Sequence, residues 1–431
     1  MSSSSTRYSS YVDWTGFSSE NALAEAIFHE LANETSDEEG ITRECYSSGE
    51  DAALKIFSAV ATAHQLEVLS DSASNIVVRM PEDDGHRAGH YIGSHADSVP
   101  KGGNYDGAAG IVAGLLCLIR LQQVQPPLAT PVRLLMLRGE ESAFYGRANI
   151  GSRALFGMLD EHDLSAKSSG SGSTLATAME GVGINLAPIQ LGKSLFDPQI
   201  AKSYLELHIE QGPVMIEQQW PAAIVSGIRG NVRHTRIVCQ GEAGHSGAIP
   251  RTLRKDAVFA FGDLVNRLDE HWRAFLEEKK DLVVTIGMVG TDPKEHAISR
   301  IPGMLTFAFE ARSQATDTLE TFYQRFRTEC EEVAHQHGVT FTFDDRTDTA
   351  PARMHDNVIE RLSLAAEDCG IKPHKLPSGA GHDAAIFANA GIPSGMVFVR
   401  NAHGSHNPRE AMDVDDLIKG TDILFKAITD W

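Results

Sequence analysis

Between Gly93 and Gly107 the chain reads Gly-Ser-His-Ala-Asp-Ser-Val-Pro-Lys-Gly-Gly-Asn-Tyr-Asp-Gly. His95 and Asp106 are residue types that ligate divalent metals, and Asp97, two residues beyond His95, could hold the second ring nitrogen of an imidazole. Glycine, Asn and Asp also dominate ordinary turns, so this stretch taken alone reads equally well as a polar loop. Three further segments carry the same chemistry. Glu140-Glu141 follows the apolar run Arg133–Leu137, His208 lies in Tyr204–Ile209, and His406 comes after Ser394–Val399. A mixture of His and carboxylates suits zinc, and also manganese, cobalt or nickel. There are more ligands than one ion needs. His95 and His208 could hold one ion and Glu141 and His406 another, with Asp106 bridging. Two ions about 3.5–4 Å apart polarise a carbonyl and lower the pKa of a shared water. Glu140, next to a ligand, can then take the proton of that water. The bland alternative for Glu140-Glu141 is a solvated helix start, where acids are favoured.

Such residues need elements to deliver them to one place. Apolar periodicity predicts helices over Ala22–Leu31 and Gly49–His64, strands over Asn75–Met80 and His90–Gly93, and a buried helix over Ala108–Leu121. Arg133–Leu137 reads as a buried parallel strand ending on charge. Ser168–Ser173 reads as a loop and Tyr204–Ile209 as a strand. Residues 1–20 read as a loosely attached leader. Each candidate ligand falls at or just past the end of an apolar strand, and in open α/β sheets the carboxyl ends of strands are where ligands bind. From about Gly230 the order changes to strand Thr235–Cys239, helix Thr252–Lys279, strands Leu282–Val289 and Met304–Arg312, helix Thr318–His337 and strand Val339–Phe343. This is the βαββαβ order of a ferredoxin-like module. Helix Val358–Cys369, loop Ser378–His382, helix Ala384–Ala390, strand Ser394–Val399 and helix Val414–Ile428 close the chain. The expected organisation is a leader over 1–20, an α/β catalytic domain over 21–228 and 346–431 with a mixed sheet, and an inserted module over 229–345.

The 431 residues carry a formal charge of −20, which argues against nucleic acid and against an anionic membrane surface as partners. The apolar run Ile111–Ile119 is too short to span a bilayer. Cys45, Cys117, Cys239, Cys330 and Cys369 are scattered and lack CxxC spacing, which fits free thiols in a reducing compartment. The N-terminal Met1-Ser-Ser-Ser-Ser-Thr-Arg has no apolar core of a secretory signal. A cytoplasmic location is expected.

In order along the chain, these stretches are joined by Glu206-Leu-His-Ile-Glu-Gln-Gly212, Gly244-His-Ser-Gly247, Ile301-Pro-Gly303, Gly379-Ala-Gly-His-Asp383 and Ser405-His-Asn-Pro408. The combination resembles the hydantoinase/carbamoylase amidase branch of the M20 metallopeptidase family, from roughly Ala22 to the C-terminus. Within the wider family the second-last metal ligand is usually a carboxylate. A His there, as His208, is similar to N-carbamoyl-L-amino acid hydrolases, allantoate amidohydrolases and β-ureidopropionases. The resemblance implies a metallopeptidase-like catalytic domain with an inserted dimerisation domain, and two divalent ions per subunit on His95, Asp106, Glu141, His208 and His406. It implies Glu140 as base and His245 as an oxyanion group offered to a partner subunit of a homodimer. It also implies Arg312 as the partner of a substrate carboxylate, with Gln211 and the loop containing Gly379, Ala380 and His382 lining the pocket. On the residues alone, His245 reads as a turn histidine and Arg312 as an exposed strand-end charge.

Three departures bear on the pocket rather than on the ligands. Ser299 stands where relatives commonly carry a substrate-contacting Asn, with Arg300 beside it. Phe144 stands where a basic residue is usual, and Ser246 and Ala248 alter the turn after His245. The expected activity is metal-dependent hydrolysis of a linear, non-peptide C–N bond in a small carboxylate, foremost an N-carbamoyl-L-amino acid. The alternatives are an allantoate-like, N-acyl or aromatic amino acid substrate, or M20-type exopeptidase activity.

Overall fold

The computed structural model describes residues 12–431. The chain forms two compact units: one runs to Ser226 and resumes at Met354, and the other comprises Gly227–Arg353. Residues 1–11 of the expected leader lie outside the described residues. The rest of that leader is not loosely attached. Trp14 is buried in the main core and its carbonyl contacts His64 Nε2 at 3.1 Å, because an indole too large to leave in water covers the second helix.

The first unit is built on a mixed sheet. Seven of its strands run in the order Glu67–Ser70, Ile76–Arg79, Val132–Leu137, Gly89–His95, Ala201–Ile209, Ser394–Val399 and Ala222–Ile228. The four from Val132–Leu137 to Ser394–Val399 are mutually parallel, and the other pairings among these seven are antiparallel. Gly89–His95, Val132–Leu137 and Ser394–Val399 are buried at every position, as strands covered on both faces must be. Short Glu67–Ser70 and Ala222–Ile228 lack a clean period-two pattern and were not legible in the sequence.

Helix Ala108–Leu121 packs on the central strands and is buried at twelve of its fourteen positions. Each of its fully buried Leu, Ile and Val side chains contributes about 1.5–3 kcal/mol. Two glycines let it come close. Gly107, at φ 68°, takes a left-handed turn where a Cβ would stand 2.5 Å from the His95 ring, and a Cβ on Gly110 would stand 2.2 Å from the Leu207 carbonyl. The helix start and the ends of the His95 and His208 strands are thereby drawn together. Helices Glu20–Thr35, Ser48–Ala63, Asp356–Asp368 and Val414–Thr429 complete the same core. Helix Asp383–Asn389 packs on strands Ala201–Ile209 and Ser394–Val399.

The second unit is an antiparallel sheet centred on Gly230–Gln240 and Met304–Ser313, against which helices Ala257–Glu277 and Thr316–His337 pack. Strict alternation buries Leu305, Phe307, Phe309, Ala311 and Ser313 while leaving Thr306, Glu310 and Arg312 on the other face. Phe309 stacks on Phe326 with ring centres 3.9 Å apart. Two expectations are corrected here. The helix expected from Thr252 begins at Ala257, where Asp256 caps Val258 N and Phe259 N, after a 3-10 turn at Arg251–Leu253. The strand expected over Leu282–Val289 is two short pieces, Val283–Thr285 and Val289–Gly290, separated at Gly287.

Candidate active site

The parallel strands of the first unit end on one rim, and the ionisable side chains collect there. His95 is the last residue of its strand and His208 the penultimate residue of the next. His208 Nδ1 lies 2.9 Å from the Ile209 carbonyl and His95 Nδ1 lies 3.3 Å from the carbonyl and a carboxylate oxygen of Asp97. Those acceptors place the ring protons on Nδ1 and turn the lone pair of each Nε2 the other way. The two Nε2 atoms are 3.3 Å apart, and Asp106 Oδ1 is 3.4 Å from His95 Nε2 and 3.1 Å from His208 Nε2. Asp106 Oδ1 is buried and completes no hydrogen bond. Three lone-pair atoms converging without a shared proton are what a divalent cation satisfies.

The other carboxylate oxygen of Asp106 faces a second group. His406 Nε2 lies 3.1 Å from Glu141 Oε1 and 3.6 Å from Asp106 Oδ2. His406 reaches this position from a left-handed backbone, φ 60°, after the chain leaves strand Ser394–Val399. Gln211 Nε2 donates to Asp106 Oδ2 at 2.7 Å, and the Ser405 hydroxyl donates to the same oxygen. Glu410 in turn accepts from the backbone of Tyr105 at 2.8 Å and of Asp106 at 3.2 Å. Five residues expected to ligate metal therefore form two His/carboxylate groups sharing Asp106, each able to hold an ion.

Asp97 ties the rim together. Its carboxylate accepts from the backbone N–H of Glu140 and of Glu141, each at 3.0 Å, while it faces the His95 ring. Glu140 is buried in the first unit but belongs to neither group, and its Oε1 accepts from Asn149 Nδ2 at 3.2 Å. The helix-start alternative for Glu140-Glu141 does not hold, since both are buried in non-helical backbone.

Charge follows from this packing. Burial, reinforced by Glu141 and Asp383 against the opposing pull of His95, pushes the Glu140 carboxyl well above its usual range. Burial alone would raise Asp106 too, but His208 and His95 outweigh it and hold Asp106 well below that range. His406 is lifted to about 9, first by its hydrogen bond to Glu141. His95 is also raised, because Asp106 and Asp97 overcome the effect of burial.

Several participants were given no role in the sequence reading, although Glu206, Asp383 and Ser405 fall inside its motifs. Glu206 is fully buried two residues before His208; its two carboxylate oxygens accept from Ser94 Oγ at 3.3 Å and from Ala384 N at 2.8 Å. With His208 and His382 it forms a third group of ligand-type side chains. The period of two along the His208 strand places Glu206 on the same face and could have exposed it. Asp383, Asn149, Ser405 and Glu410 offered no comparable pattern. His382 is buried with Nε2 2.8 Å from Ser378 Oγ, and its ring stands edge-on to His208 with centres 4.4 Å apart. The Ser378 hydroxyl also accepts from Ala380 N at 3.2 Å, fixing the loop that contains Gly379. Phe144 is buried against the Ser168–Ser173 loop, whose Ser169 N–H donates to the Phe144 carbonyl at 2.8 Å.

His245, Ser299, Arg300 and Arg312 lie in the second unit. His245 is exposed on a short strand paired with Arg300, and Gly247 N donates to His245 Nδ1 at 3.2 Å. That contact places the ring proton on Nε2, leaving an outward-facing donor. The Ser299 carbonyl accepts from Ser246 N at 2.8 Å, and Arg300 pairs with Glu295 at 2.8 Å. Arg312 Nε is 2.9 Å from Glu310 Oε2, and Arg233 bonds the other oxygen of Glu310, so two guanidinium groups share one carboxylate.

A mixed sheet whose parallel strands deliver two His/carboxylate groups and a spare buried glutamate to one rim is the framework of a metal-dependent hydrolase. The chain belongs to peptidase family M20/M25/M40, which it matches over residues 91–430. This is a metal-dependent family. The chain is 30% identical over 414 residues to an N-carbamoyl-L-amino-acid amidohydrolase of Paenarthrobacter aurescens, covering 95% of this chain and 98% of the relative. It is 29% identical over 387 residues to an allantoate amidohydrolase of Escherichia coli, covering 89% and 91% of the two chains. A hydantoinase/carbamoylase family amidase of known structure from Burkholderia multivorans shares the fold with a TM-score of 0.85 at 24% identity, over 95% of this chain and 97% of that one.

Proposed function

We propose that the chain is a two-metal amidohydrolase opening a linear, non-peptide C–N bond, with an N-carbamoyl-L-amino acid as the leading substrate. The observation that carries this reading is the Asp106 carboxylate. Its two oxygens face separate His/carboxylate groups, one oxygen is buried without a hydrogen bond, and the buried Glu140, held by Asn149, belongs to neither group. His95, His208 and Asp106 would hold one ion, and Asp106, Glu141 and His406 the other. Zinc, manganese, cobalt and nickel all suit this donor set. Such ions supply Lewis acidity at the scissile carbonyl and acidify water.

The remaining steps belong to the chain. Glu140, kept proton-hungry by burial, takes a proton from the attacking water and returns it to the departing nitrogen. Gln211 steadies Asp106. His245 is the proposed oxyanion donor, supplied by a second subunit, and Arg312 the proposed fork for the substrate carboxylate, with Ser299, Gly379, Ala380 and His382 as further pocket residues. The ferredoxin-like reading of the second unit as a dimerisation module is supported by its helix Ala257–Glu277, which exposes Val258, Phe259, Val265 and Leu276. A cytoplasmic setting is supported by five free cysteines, and no helix among the described residues is long and apolar enough to cross a membrane.

An allantoate-like ureido acid is the second reading, favoured by the similarity to the Escherichia coli enzyme. A substrate panel on metal-reconstituted and EDTA-treated protein, scoring ammonia, free amino acid and amine release separately, tests both. Ammonia with free amino acid from a carbamoyl substrate, abolished by EDTA, is the expected result. Turnover confined to peptides or N-acyl amino acids, or activity untouched by EDTA with no bound ion, would overturn the proposal.

A further inference from the structure

Glu140 does not stand alone in its buried pocket. Asn149 sits at the start of the short helix Ile150–Leu155 in a left-handed conformation, φ 55° and ψ 39°. An Asn there would ordinarily cap the helix with its side-chain oxygen, yet this one makes no cap hydrogen bond. Its side chain is turned elsewhere. Asn149 Nδ2 lies 3.2 Å from Glu140 Oε1 and 3.1 Å from Asp383 Oδ1. Both partners are carboxylate oxygens, so the atom between them has to be the amide nitrogen, whose two protons serve one carboxylate each.

Every other contact makes this bridge stiff. Asn149 N donates to the Glu140 carbonyl at 2.9 Å, Ile150 N to Gly139 at 2.7 Å and Gly151 N to Arg138 at 2.9 Å. Ser152 Oγ donates to Asp383 Oδ1 at 2.5 Å, so the far carboxylate is anchored as well. Without the amide, two buried carboxyl groups 243 positions apart in the chain would face each other across the gap it fills. Glu140, whose side chain has no other hydrogen-bond donor among the described contacts, would be free to swing.

We propose that Asn149 is a positioning residue for the Glu140 base: its amide hydrogen-bonds Glu140 and Asp383 together and aims the Glu140 carboxylate. This inference rests on the reading of Glu140 as the base. Asn149→Gly is the informative variant, because glycine takes φ near +55° without strain while the amide is lost. The protein would be full-length and loaded with Mn²⁺, and the substrate would be the N-carbamoyl-L-amino acid that the wild type turns over fastest. The expected result is a kcat lower by roughly 10- to 100-fold, the loss that accompanies a charge-assisted hydrogen bond, with KM and bound metal per chain unchanged. Combined with Glu140→Gln, the same change should cost nothing further, since a residue acting through Glu140 has nothing left to act on. A crystal structure of Asn149→Gly should show the Glu140 carboxylate turned from its wild-type position. Near-wild-type kcat in Asn149→Gly, a multiplicative loss in the double variant, or an unmoved Glu140 carboxylate would each overturn the proposal. Full activity in Glu140→Gln alone would instead remove the base assignment, and the crystallographic arm would still report on the bridge.

Discussion

Replacing Asp97 by Asn tests the rim at the point where one carboxylate serves three groups. Asp97 accepts the Glu140 and Glu141 backbone N–H groups at 3.0 Å each and stands 3.3 Å from His95 Nδ1. The amide keeps the shape but turns one acceptor into a donor. If its nitrogen takes the Oδ1 place it meets both the Glu140 N–H and the His95 ring proton; in the Oδ2 place it meets only the Glu141 N–H. The second arrangement costs less, and it still exchanges one buried, charge-assisted hydrogen bond for two opposed donors. A bond of that kind contributes about 1.5–3 kcal/mol. Asp97 touches one ligand of each ion group, His95 and Glu141, so the loss should fall on metal binding. Partners that orient metal ligands typically account for about 10- to 100-fold in affinity, or roughly 1.4–2.7 kcal/mol, which agrees with the hydrogen-bond figure. Competition with a chromophoric chelator measures the affinity, and thermal melts with and without metal report whether the fold is kept. Asp97→Asn should bind Zn²⁺ at least tenfold more weakly while remaining folded. A folded variant with affinity within about twofold of wild type would refute the role given to Asp97.

Glu206 is held up to about 7, chiefly by burial and then by Asp383, so the folded metal-free protein keeps a proton that the unfolded chain releases near 4.5. Its contribution to stability is complete below that pH and is lost as pH rises through about 7, a difference on the order of 3 kcal/mol. The Tm of metal-free protein should therefore fall from pH 5 to pH 8, and Glu206→Gln should flatten the slope; equal slopes would place the effect elsewhere. Arg312→Lys should raise KM and erase the preference for a free acid over its amide, because lysine cannot form the bidentate pair. If acid and amide are treated as in the wild type, Arg312 serves only its ion pair with Glu310. Mixing inactive His245→Ala with inactive Glu140→Gln subunits should restore partial activity through heterodimers, and no rescue despite proven subunit exchange would rule out a shared site.

The candidate ligand types and their delivery at strand ends were readable along the chain. His95, Glu140-Glu141 and His208 each follow or end a continuous apolar run, and a fully covered parallel strand leaves no other signature. The alternation of Leu305, Phe307 and Phe309 likewise put Arg312 on the open face, since side-chain direction in a strand is a local property. What the sequence could not reveal depends on partners distant in the chain. Trp14 became core only by meeting the second helix, against the Ser-rich composition of the segment before it. The hydrogen bond from Ala384 N to Glu206 spans 178 positions, and the Asn149 bridge to Asp383 spans 234. Strand periodicity could place Glu206 on the inner face but could not name its partner, and Asn149 had no periodicity to betray it. The role of such a side chain is set by which partner stands within about 3 Å, and folding alone decides that.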